Sequence, residues 1–416
     1  MKYCHLFLFG ITAGFCAAIG CSATQGDNGF GQGGSDGSGA NSGSGAAPSS
    51  GTESNGAGFN PSGGGTGSTG ASGSDCTNPP EGDGDNDGFT GLDGDCNNCD
   101  PNVNPGSIEV SVTEPDDSGM VPPPADEDCD GTIDNVPPPC DSGIALDDFD
   151  PVNGARAIDI CSVITPADKK WGVLNASYVR GNGTPAAASP HVGILNGFGP
   201  NVPVQKGSSM LGLSSGYARL PSQPNACGSQ TCSSYGPGSA PPGFPQDPPN
   251  CPVSGAINDD VGLELTMRSP KNATGYSFRF KFYSFEYPEW VCEDYNDQFI
   301  ALAQPQPQGS YNGNISFDSL GNPVSVNIGF FDVCPGCPLG TAELSGTGFD
   351  VWDDAGATGW LQTQAPVTGG EDVTLRFFIF DTGDGAWDST AIIDSFEWIA
   401  NGGTVVVGTE PADPPE

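Results

Sequence analysis

Apolar and polar residues alternate in short stretches along the C-terminal two thirds of the chain. Residues 261–268 alternate Val, Leu, Leu and Met with Gly, Glu, Thr and Arg, and residues 278–283 alternate three phenylalanines with Arg, Lys and Tyr. A period of two predicts β-strands with one buried face. Further apolar runs predict strands at 299–303, 315–317, 324–328, 373–380 and 392–398.

Turn-forming residues separate these predicted strands. Gly, Pro, Asn and Asp fill the connections, and no stretch has the spacing of a long amphipathic helix. Residues 140–403 are long enough and aromatic enough to form one globular core. We therefore predict an all-β domain, an antiparallel β-sandwich of the jelly-roll type, followed by an acidic, Pro-rich tail at 404–416.

The segment 75–139, before this domain, is rich in acidic residues and cysteine. Residues 75–135 include 17 Asp and Glu residues and no Lys or Arg. The spacing Asp-x-Asp-x-Asp-Gly occurs twice, with the aspartates Asp83, Asp85, Asp87, Asp126, Asp128 and Asp130. Alternate carboxylates converge on one point, and the glycine lets the next carbonyl, that of Phe89 in the first copy, turn inward. The pattern predicts two calcium loops in a small disulfide-rich module; a disordered, solvated charge run is the alternative.

Four blocks of this segment follow one another in a fixed order. They are Asp83 to Phe89, Gly94 to Asn97, Asn104-Pro-Gly and Glu127 to Asp134. Together they resemble the metal-binding repeat of secreted bacterial proteins, which implies that Asp95 and Asp134 also bind metal. Copper prefers imidazole, thiolate or thioether ligands and is disfavoured, because the segment has no histidine. An EF-hand is not expected, because Gly94 stands where the twelfth-position glutamate would be.

The N-terminus is predicted to direct export. Lys2 precedes an apolar run at 6–19, and Ala18-Ile-Gly-Cys21 ends it. This sequence resembles a bacterial lipobox, which implies a signal peptide at 1–20 and a lipid on Cys21; ordinary signal cleavage is the alternative. Residues 21–74, mostly Gly, Ser, Ala and Asn, predict a disordered tether. We expect an exported protein, lipid-anchored to the bacterial outer membrane or cell surface.

The cysteines indicate an oxidising compartment. Of 15 cysteines, Cys4 and Cys16 would leave with the signal and Cys21 would take lipid, so the other 12 suit six disulfides. Near neighbours in sequence suggest the pairs Cys140–Cys161, Cys227–Cys232 and Cys334–Cys337. Cys251 and Cys292 remain as a further candidate pair, and the pairing among Cys76, Cys96, Cys99 and Cys129 stays open.

The formal net charge of −39 bears on possible partners. It argues against nucleic acid and against docking on anionic lipid, because both require Lys and Arg to neutralise phosphate. Divalent cations are the natural counter-ions for such a chain.

Five blocks in the predicted sandwich also keep a characteristic order. They are Ser284 to Glu289, Asn296 to Phe299, Asn314 to Ser319, Phe380 to Ser389 and Ile393-Asp394. These blocks resemble the choice-of-anchor L domain, a module of exported bacterial proteins that occurs with various surface anchors. The resemblance covers 261–398 well and 140–257 loosely. Phe285 departs from the pattern, which usually has a second glutamate at that position.

Carboxylates and amides cluster just beyond the predicted strand ends. The residues are Glu286, Asn296, Asp297, Asp381, Asp384 and Asp388. Their oxygens suit calcium, which takes about six to eight such ligands, and the alternative is that they form turns and caps. Five aromatic residues lie in or near the same loops, namely Tyr287, Trp290, Trp352, Trp360 and Trp387. Such rings either stack on a ligand or cover the core.

We expect a calcium-stabilised, non-enzymatic surface lipoprotein that mediates adhesion or binds an extracellular glycan or protein. The first alternative is a metal-sequestering surface protein. The second is a glycosidase that uses Glu286 with Asp297 or Asp384. A Ser-His-Asp triad has little support, because His191 is the one histidine after the predicted signal and no nucleophile elbow, zinc-binding helix or phosphate loop occurs.

Overall fold

Two antiparallel β-sheets dominate the computed structural model, which describes residues 81–413 except 113–119, 122, 188–189, 233–234, 253, 353 and 401. The strands are β1 (Gly172–Val179), β2 (Val192–Leu195), β3 (Met210–Ser214), β4 (Ile257–Arg268), β5 (Gly275–Ser284), β6 (Gln298–Gln304), β7 (Val324–Ser325), β8 (Gly356–Ala357), β9 (Leu361–Pro366), β10 (Asp372–Thr382), β11 (Ser389–Ile399) and β12 (Gly408–Pro411). Helix is confined, in this part of the chain, to α1 (Pro151–Arg156) and two short 3-10 turns, Gly91–Asp93 and Ala342–Leu344. The predicted all-β class is confirmed. The predicted signal peptide, Cys21, the tether and Cys76 lie outside the described residues.

The strands form two sheets. The first has the order β1-β4-β10-β6-β7, and the second has the order β12-β9-β5-β11-β3-β2, with β8 paired to β5. The strand pairs are antiparallel. The long central strands β4 and β10 in one sheet and β5 and β11 in the other set the positions of the loops at each end.

Phenylalanine side chains fill the space between the sheets. Phe278 of β5 meets Phe377 of β10 edge to face, with ring centroids 4.9 Å apart. Phe280 lies 5.0 Å from Phe299 of β6. Such pairs add about 0.5 to 1.5 kcal/mol to the stabilisation from buried area. The alternation at 278–283 therefore places the phenylalanines on the face of β5 that packs against the other sheet.

The opposite face of β5 is also buried, so the prediction that this strand is half-buried was wrong. Lys281 and Tyr283 point away from the central core and are fully buried. Tyr283 packs on Phe349 at 5.3 Å between ring centroids. The Lys281 ammonium donates to the carbonyl of Thr358 and forms an ion pair with Glu343. The loop after β7 packs on this face. Alternation within one strand cannot predict that a distant loop buries its polar side.

Two predicted strands are shorter or absent. Residues 315–317 form no strand, although Ile315 is buried in the core. The Asn314 side chain accepts backbone hydrogen bonds from Ala301 and Ser316, both at 3.1 Å. Because a side chain takes these donors, the local backbone does not extend the ladder. The predicted strand at 324–328 reduces to β7.

Several strands were not predicted. They are β1, β2, β3, β8, β9 and β12. Strand β12 lies in the predicted C-terminal tail, and its four residues pair with β9. The Thr409 hydroxyl lies 2.7 Å from that of Thr363. An edge strand of this kind needs little apolar alternation, because a neighbouring strand provides its backbone partners.

The acidic module packs against the sandwich. Lys169 donates to the Gly88 carbonyl at 2.8 Å, and the Trp171 indole donates to the Ser107 carbonyl at 3.1 Å. The Asn272 side-chain amide donates to the Ile108 carbonyl at 2.7 Å and accepts the Ile108 backbone N–H at 3.0 Å. These bonds join a segment with little apolar core to a domain that has a large one.

Disulfides connect loops in both parts. The structure joins Cys140 to Cys161, Cys227 to Cys232, Cys251 to Cys292 and Cys334 to Cys337. In the module it joins Cys96 to Cys129, a pair that spacing alone left open. Cys99 is exposed. The bridge at Cys96 holds the second acidic loop close to the first.

We expect Glu343→Ala to lower the free energy of unfolding by about 3 kcal/mol, because it leaves the Lys281 ammonium buried without its partner. Glu397→Ala is the control. Glu397 pairs with Lys206 where both side chains are about half exposed, so its loss should change stability by about 1 kcal/mol or less. Denaturant unfolding of both variants checks this; equal effects would contradict it.

Candidate functional site

The first acidic loop curls as its sequence predicts. Oxygens of Asp83, Asp85 and Asp87 lie within 4.8 Å of one another. Asp83 accepts hydrogen bonds from the backbone N–H groups of Asn86 and Gly88, at 2.7 and 3.1 Å. Both residues have positive φ, 66° and 95°, which turns the chain sharply. The three carboxylates therefore face one point.

Burial and mutual repulsion act on these carboxylates. Desolvation, together with the charges of Asp85, Asp95 and Asp83, raises the pKa of Asp87 to about 6. The pKa of Asp95, another predicted ligand, is also raised, first by burial and then by the charge of Asp83. Asp85, Asp87 and Asp95 each keep one buried oxygen without a hydrogen-bond partner. The Phe89 side chain is buried beneath the loop, and the Lys169 ammonium lies 5.4 Å from its ring centroid.

The second acidic loop meets a residue that the sequence analysis missed. Oxygens of Glu109, Asp126 and Asp128 lie within 4.8 Å of one another, and so do those of Glu109, Glu127 and Asp134. Glu109 accepts the backbone N–H of Asp134 at 2.9 Å. Burial, then the charges of Asp128 and Glu127, raises the pKa of Glu109 to about 7. The signal for Glu109 was its place three residues after the Asn104-Pro-Gly block.

Asp130 stands apart from both of these sets. Its carboxylate accepts the Asn135 side-chain amide at 2.8 Å and the Thr132 backbone N–H at 2.7 Å. These bonds lower its pKa. Asp130 therefore acts in the turn, and Asp126, Asp128 and Asp134 remain next to Glu109.

A third acidic group lies at one end of the sandwich, where both sheets contribute. We name it the rim cluster: Glu286, Asn296, Asp297, Asp381 and Asp388, all of them buried. Glu286 follows β5, Asn296 and Asp297 precede β6, Asp381 lies near the end of β10, and Asp388 precedes β11. Because β5 and β11 neighbour each other in one sheet, and β6 and β10 in the other, these residues meet although they are far apart in sequence.

Hydrogen bonds hold Asp297 at the centre of the rim cluster. Its backbone N–H donates to Glu286 at 3.2 Å. Its carboxylate accepts the Thr382 backbone N–H at 3.2 Å and the Ser389 hydroxyl at 2.8 Å. Thr382 and Ser389 were not predicted as site residues, because neither type has a distinctive spacing.

Other polar atoms of the rim cluster have no hydrogen-bond partner. These are both amide atoms of Asn296 and one oxygen of Asp388, whereas the Asp381 carboxyl group contacts the Asp297 carboxyl group and the Ser215 hydroxyl. A buried unsatisfied polar group costs about 1 to 3 kcal/mol, and a charged one costs more. None of the six ion pairs among the described residues involves a rim carboxylate. The cluster therefore needs protons or a cation.

The electrostatics agree with that need. Burial raises the pKa of Asp297 to about 7 and that of Asp388 to about 8. The pKa values of Glu286 and Asp381 are raised well above their usual range, first by burial and then by the charge of Asp297. A hard, oxygen-seeking cation can replace these protons.

Asp384 lies outside the buried group, at the mouth of a small cavity. The cavity has a volume of about 110 Å³ and is lined by Glu286, Trp290, Tyr295, Asp384, Ala386 and Trp387. The Asp384 carboxylate accepts the Ala386 backbone N–H at 3.0 Å, which is turn chemistry. The indoles of Trp290 and Trp387 meet edge to face at 5.4 Å. Tyr287 instead stacks on Phe331 at 4.3 Å and covers the core.

Comparison with known proteins bears directly on this domain. The model of the choice-of-anchor L domain family matches residues 172–397, more than half of the chain. The chain belongs to the choice-of-anchor L family. Membership makes it a surface-associated protein. The match includes all of the rim cluster and none of the acidic module. No curated protein and no solved structure matches significantly.

Among the residues that the structure describes, no helix has the length and apolar character that crossing a bilayer requires.

Without a bound cation, the free energy of unfolding should fall as pH rises from about 4 to about 8. Asp297 and Asp388 have folded-state pKa values of about 7 and about 8, above their usual value near 4. The stability that these two carboxyl groups contribute is fully present below their unfolded-state pKa. It is lost as pH rises through their folded-state pKa. Denaturant unfolding in EDTA across this range checks the sign, and Asp388→Asn should flatten the dependence. Rising stability across the range would contradict it.

Proposed function

We propose that this choice-of-anchor L protein is a non-enzymatic, calcium-stabilised surface lipoprotein that binds a ligand outside the cell. The observation that carries the calcium part is the convergence of carboxylate oxygens within 4.8 Å of one another in the acidic loops. The buried carboxylates of the rim cluster, which have no described basic partner, add a second candidate position. The lipid would sit on Cys21, and the acidic module lies between Cys21 and the sandwich in the sequence.

The donor chemistry favours calcium over softer metals. The rim cluster offers carboxylate and amide oxygens, and the two acidic loops offer carboxylates. Calcium takes oxygen ligands in flexible geometry at 2.3–2.6 Å, whereas copper and zinc favour imidazole or thiolate. The neutral Asn296 amide and the carboxylates of Asp297 and Asp381 would supply the central ligands.

A calcium ion at the rim would hold the two sheets together at one end. Its ligands come from the connections next to β5, β6, β10 and β11, so one ion would join four connections. A ligand present at 100 times its Kd stabilises a fold by about 2.7 kcal/mol. Extracellular calcium modules have Kd values of about 0.1 to 1 mM, so occupancy would follow ambient calcium.

Calorimetric titration and thermal melts of the purified protein test this. We expect calcium to bind and to raise the melting temperature relative to EDTA. Asp381→Asn should weaken the rim site, because it removes a buried carboxylate that lies against Asp297. Asp372→Asn is the matched control, since Asp372 lies on the same strand but is exposed and paired with Arg268. Unchanged heats and melts with and without calcium would refute the proposal.

The acidic module favours a second candidate function, metal sequestration. Three carboxylate sets occur within its described residues, and a single structural ion would require only one of them. Dialysis against mixed calcium, copper and iron, followed by metal analysis, separates the two functions. Retention of calcium alone agrees with a structural role, whereas copper or iron retained over calcium would support sequestration.

The non-enzymatic part of the proposal rests on accessibility. A carboxylate glycosidase needs two carboxyl groups that flank the sugar bond, but Asp297 is fully buried behind Glu286. Asp384 is exposed and bonded within its own turn. Assays with chromogenic glycosides in EDTA test this, and hydrolysis that Glu286→Gln abolishes would establish the enzyme instead.

A further inference from the structure

The small cavity beside Asp384 is lined largely by aromatic side chains. Three of its six lining residues are Trp290, Tyr295 and Trp387, and we name this cavity the aromatic cage. Its volume is about 110 Å³. Pockets for drug-sized molecules have volumes of about 300 to 1,000 Å³, so the aromatic cage admits only a small head group.

The three rings of the aromatic cage lie in different planes. The Trp290 ring makes an angle of 79° with the Tyr295 ring, and their centroids are 4.9 Å apart. It makes an angle of 68° with the Trp387 ring, whose centroid is 5.4 Å away. Rings that enclose one small space at steep angles are typical of sites that bind quaternary ammonium groups through cation–π attraction.

Core packing does not account for this group of rings. Trp290 and Tyr295 pack against none of the three clusters of buried apolar residues in the described part of the chain, whereas Trp387 borders one of them. All three side chains are half-buried, so part of each one remains exposed. A ligand in the cavity can therefore reach the rings.

The loops that carry the rings are held in place without a ligand. The Trp387 backbone has a φ of 66°, in the left-handed region that bulky residues rarely adopt, and its N–H donates to the Thr231 hydroxyl at 2.9 Å. Tyr295 packs directly on Gly383, where an added Cβ would lie 2.6 Å from the tyrosine ring. Unusual backbone conformations of this kind cluster at ligand-binding sites.

Negative charge surrounds the aromatic cage. Asp384 is exposed, and only one of its carboxylate oxygens is used by the Ala386 backbone N–H. Glu286 also lines the cavity, and neither carboxylate belongs to an ion pair of the described residues. Residues 286–297 include five acidic residues, and no Lys or Arg occurs from 282 to 375. The site therefore attracts cations and repels anions.

The lining residues favour an organic cation over a metal ion or a primary amine. Calcium takes about six to eight oxygen ligands, whereas three of the six lining residues present rings. A primary ammonium is strongly hydrated and has three N–H donors, which ring faces satisfy poorly. A quaternary ammonium has no N–H, so it loses no hydrogen bond when its methyl groups contact the rings.

We propose that the aromatic cage binds the quaternary ammonium head group of a small extracellular cation, with the three rings around its methyl groups and Asp384 as the counter-charge. The inference rests on the extracellular binding in the proposed function and deepens it by naming a ligand class. It does not depend on calcium. Glu286 already accepts the Asp297 backbone N–H in the rim cluster, so Asp384 alone is required to balance the charge.

Calorimetric titration of the purified full chain with choline tests the proposal. The control ligand is the neutral isostere of choline, in which a tert-butyl group replaces the trimethylammonium group. This change keeps the shape and removes the charge. We expect choline to bind roughly tenfold more tightly than the isostere, because the rings and Asp384 attract only the cation.

Two substitutions test the residues of the aromatic cage. Trp387→Ala should weaken choline binding by roughly tenfold, because it removes one wall. Trp352→Ala is the matched control, since Trp352 is 42% exposed and does not line the cavity. Asp384→Asn should weaken binding several-fold while its side-chain oxygen still accepts the Ala386 N–H. Thermal melts of each variant report whether it folds.

The outcomes separate this inference from the calcium proposal. Equal affinity for choline and its neutral isostere, or equal losses in the Trp387 and Trp352 variants, would overturn the aromatic cage. Tighter binding of ammonium or free lysine than of choline would also overturn it. If the same protein binds calcium but not choline, the aromatic cage is wrong and the calcium proposal stands. Choline binding with calcium heats that match those in EDTA would support the cage and refute the calcium site.

Discussion

Close packing of carboxylates without basic neighbours is the constraint that organises this protein. The chain has 51 acidic and 12 basic residues, so most carboxylates lack a Lys or Arg partner. On the surface, water screens them. In the rim cluster and in the two acidic loops they are brought together and partly or fully buried, where repulsion and desolvation reinforce each other. Cation binding relieves both costs at once.

The two acidic regions depend on this constraint to different degrees. The sandwich has an aromatic core between its sheets, and that core sets the strand ends on which the rim carboxylates stand. The module has little apolar core beyond Phe89 and relies on a disulfide, Asx turns and bonds to the sandwich. We infer that calcium would stiffen the module more than the sandwich, because the sandwich already has its own core.

The alternation of apolar residues predicted five strands well, because β4, β5, β6, β10 and β11 lie at the centre of the sheets and face the core. It failed at 315–317, where the Asn314 side chain takes the backbone donors that a neighbouring strand would otherwise bond. It also missed β1, β2, β3 and β9. Short or edge strands receive their partners from distant residues, and no local pattern reports that.

Some features of the candidate sites follow from local sequence, and others arise only from tertiary contacts. The spacing of Asp83, Asp85 and Asp87 is local, and it alone determines a loop whose carboxylates converge. The excess of acid over base is likewise a property of the sequence, and it determines that cations are the natural counter-ions. Only the tertiary structure brings Glu109 to the second loop, gathers Glu286, Asp297 and Asp381 at the rim and leaves Asp384 outside that buried group. Those contacts join residues far apart in the chain, and burial, which makes their charges matter, exists only once the sheets have packed.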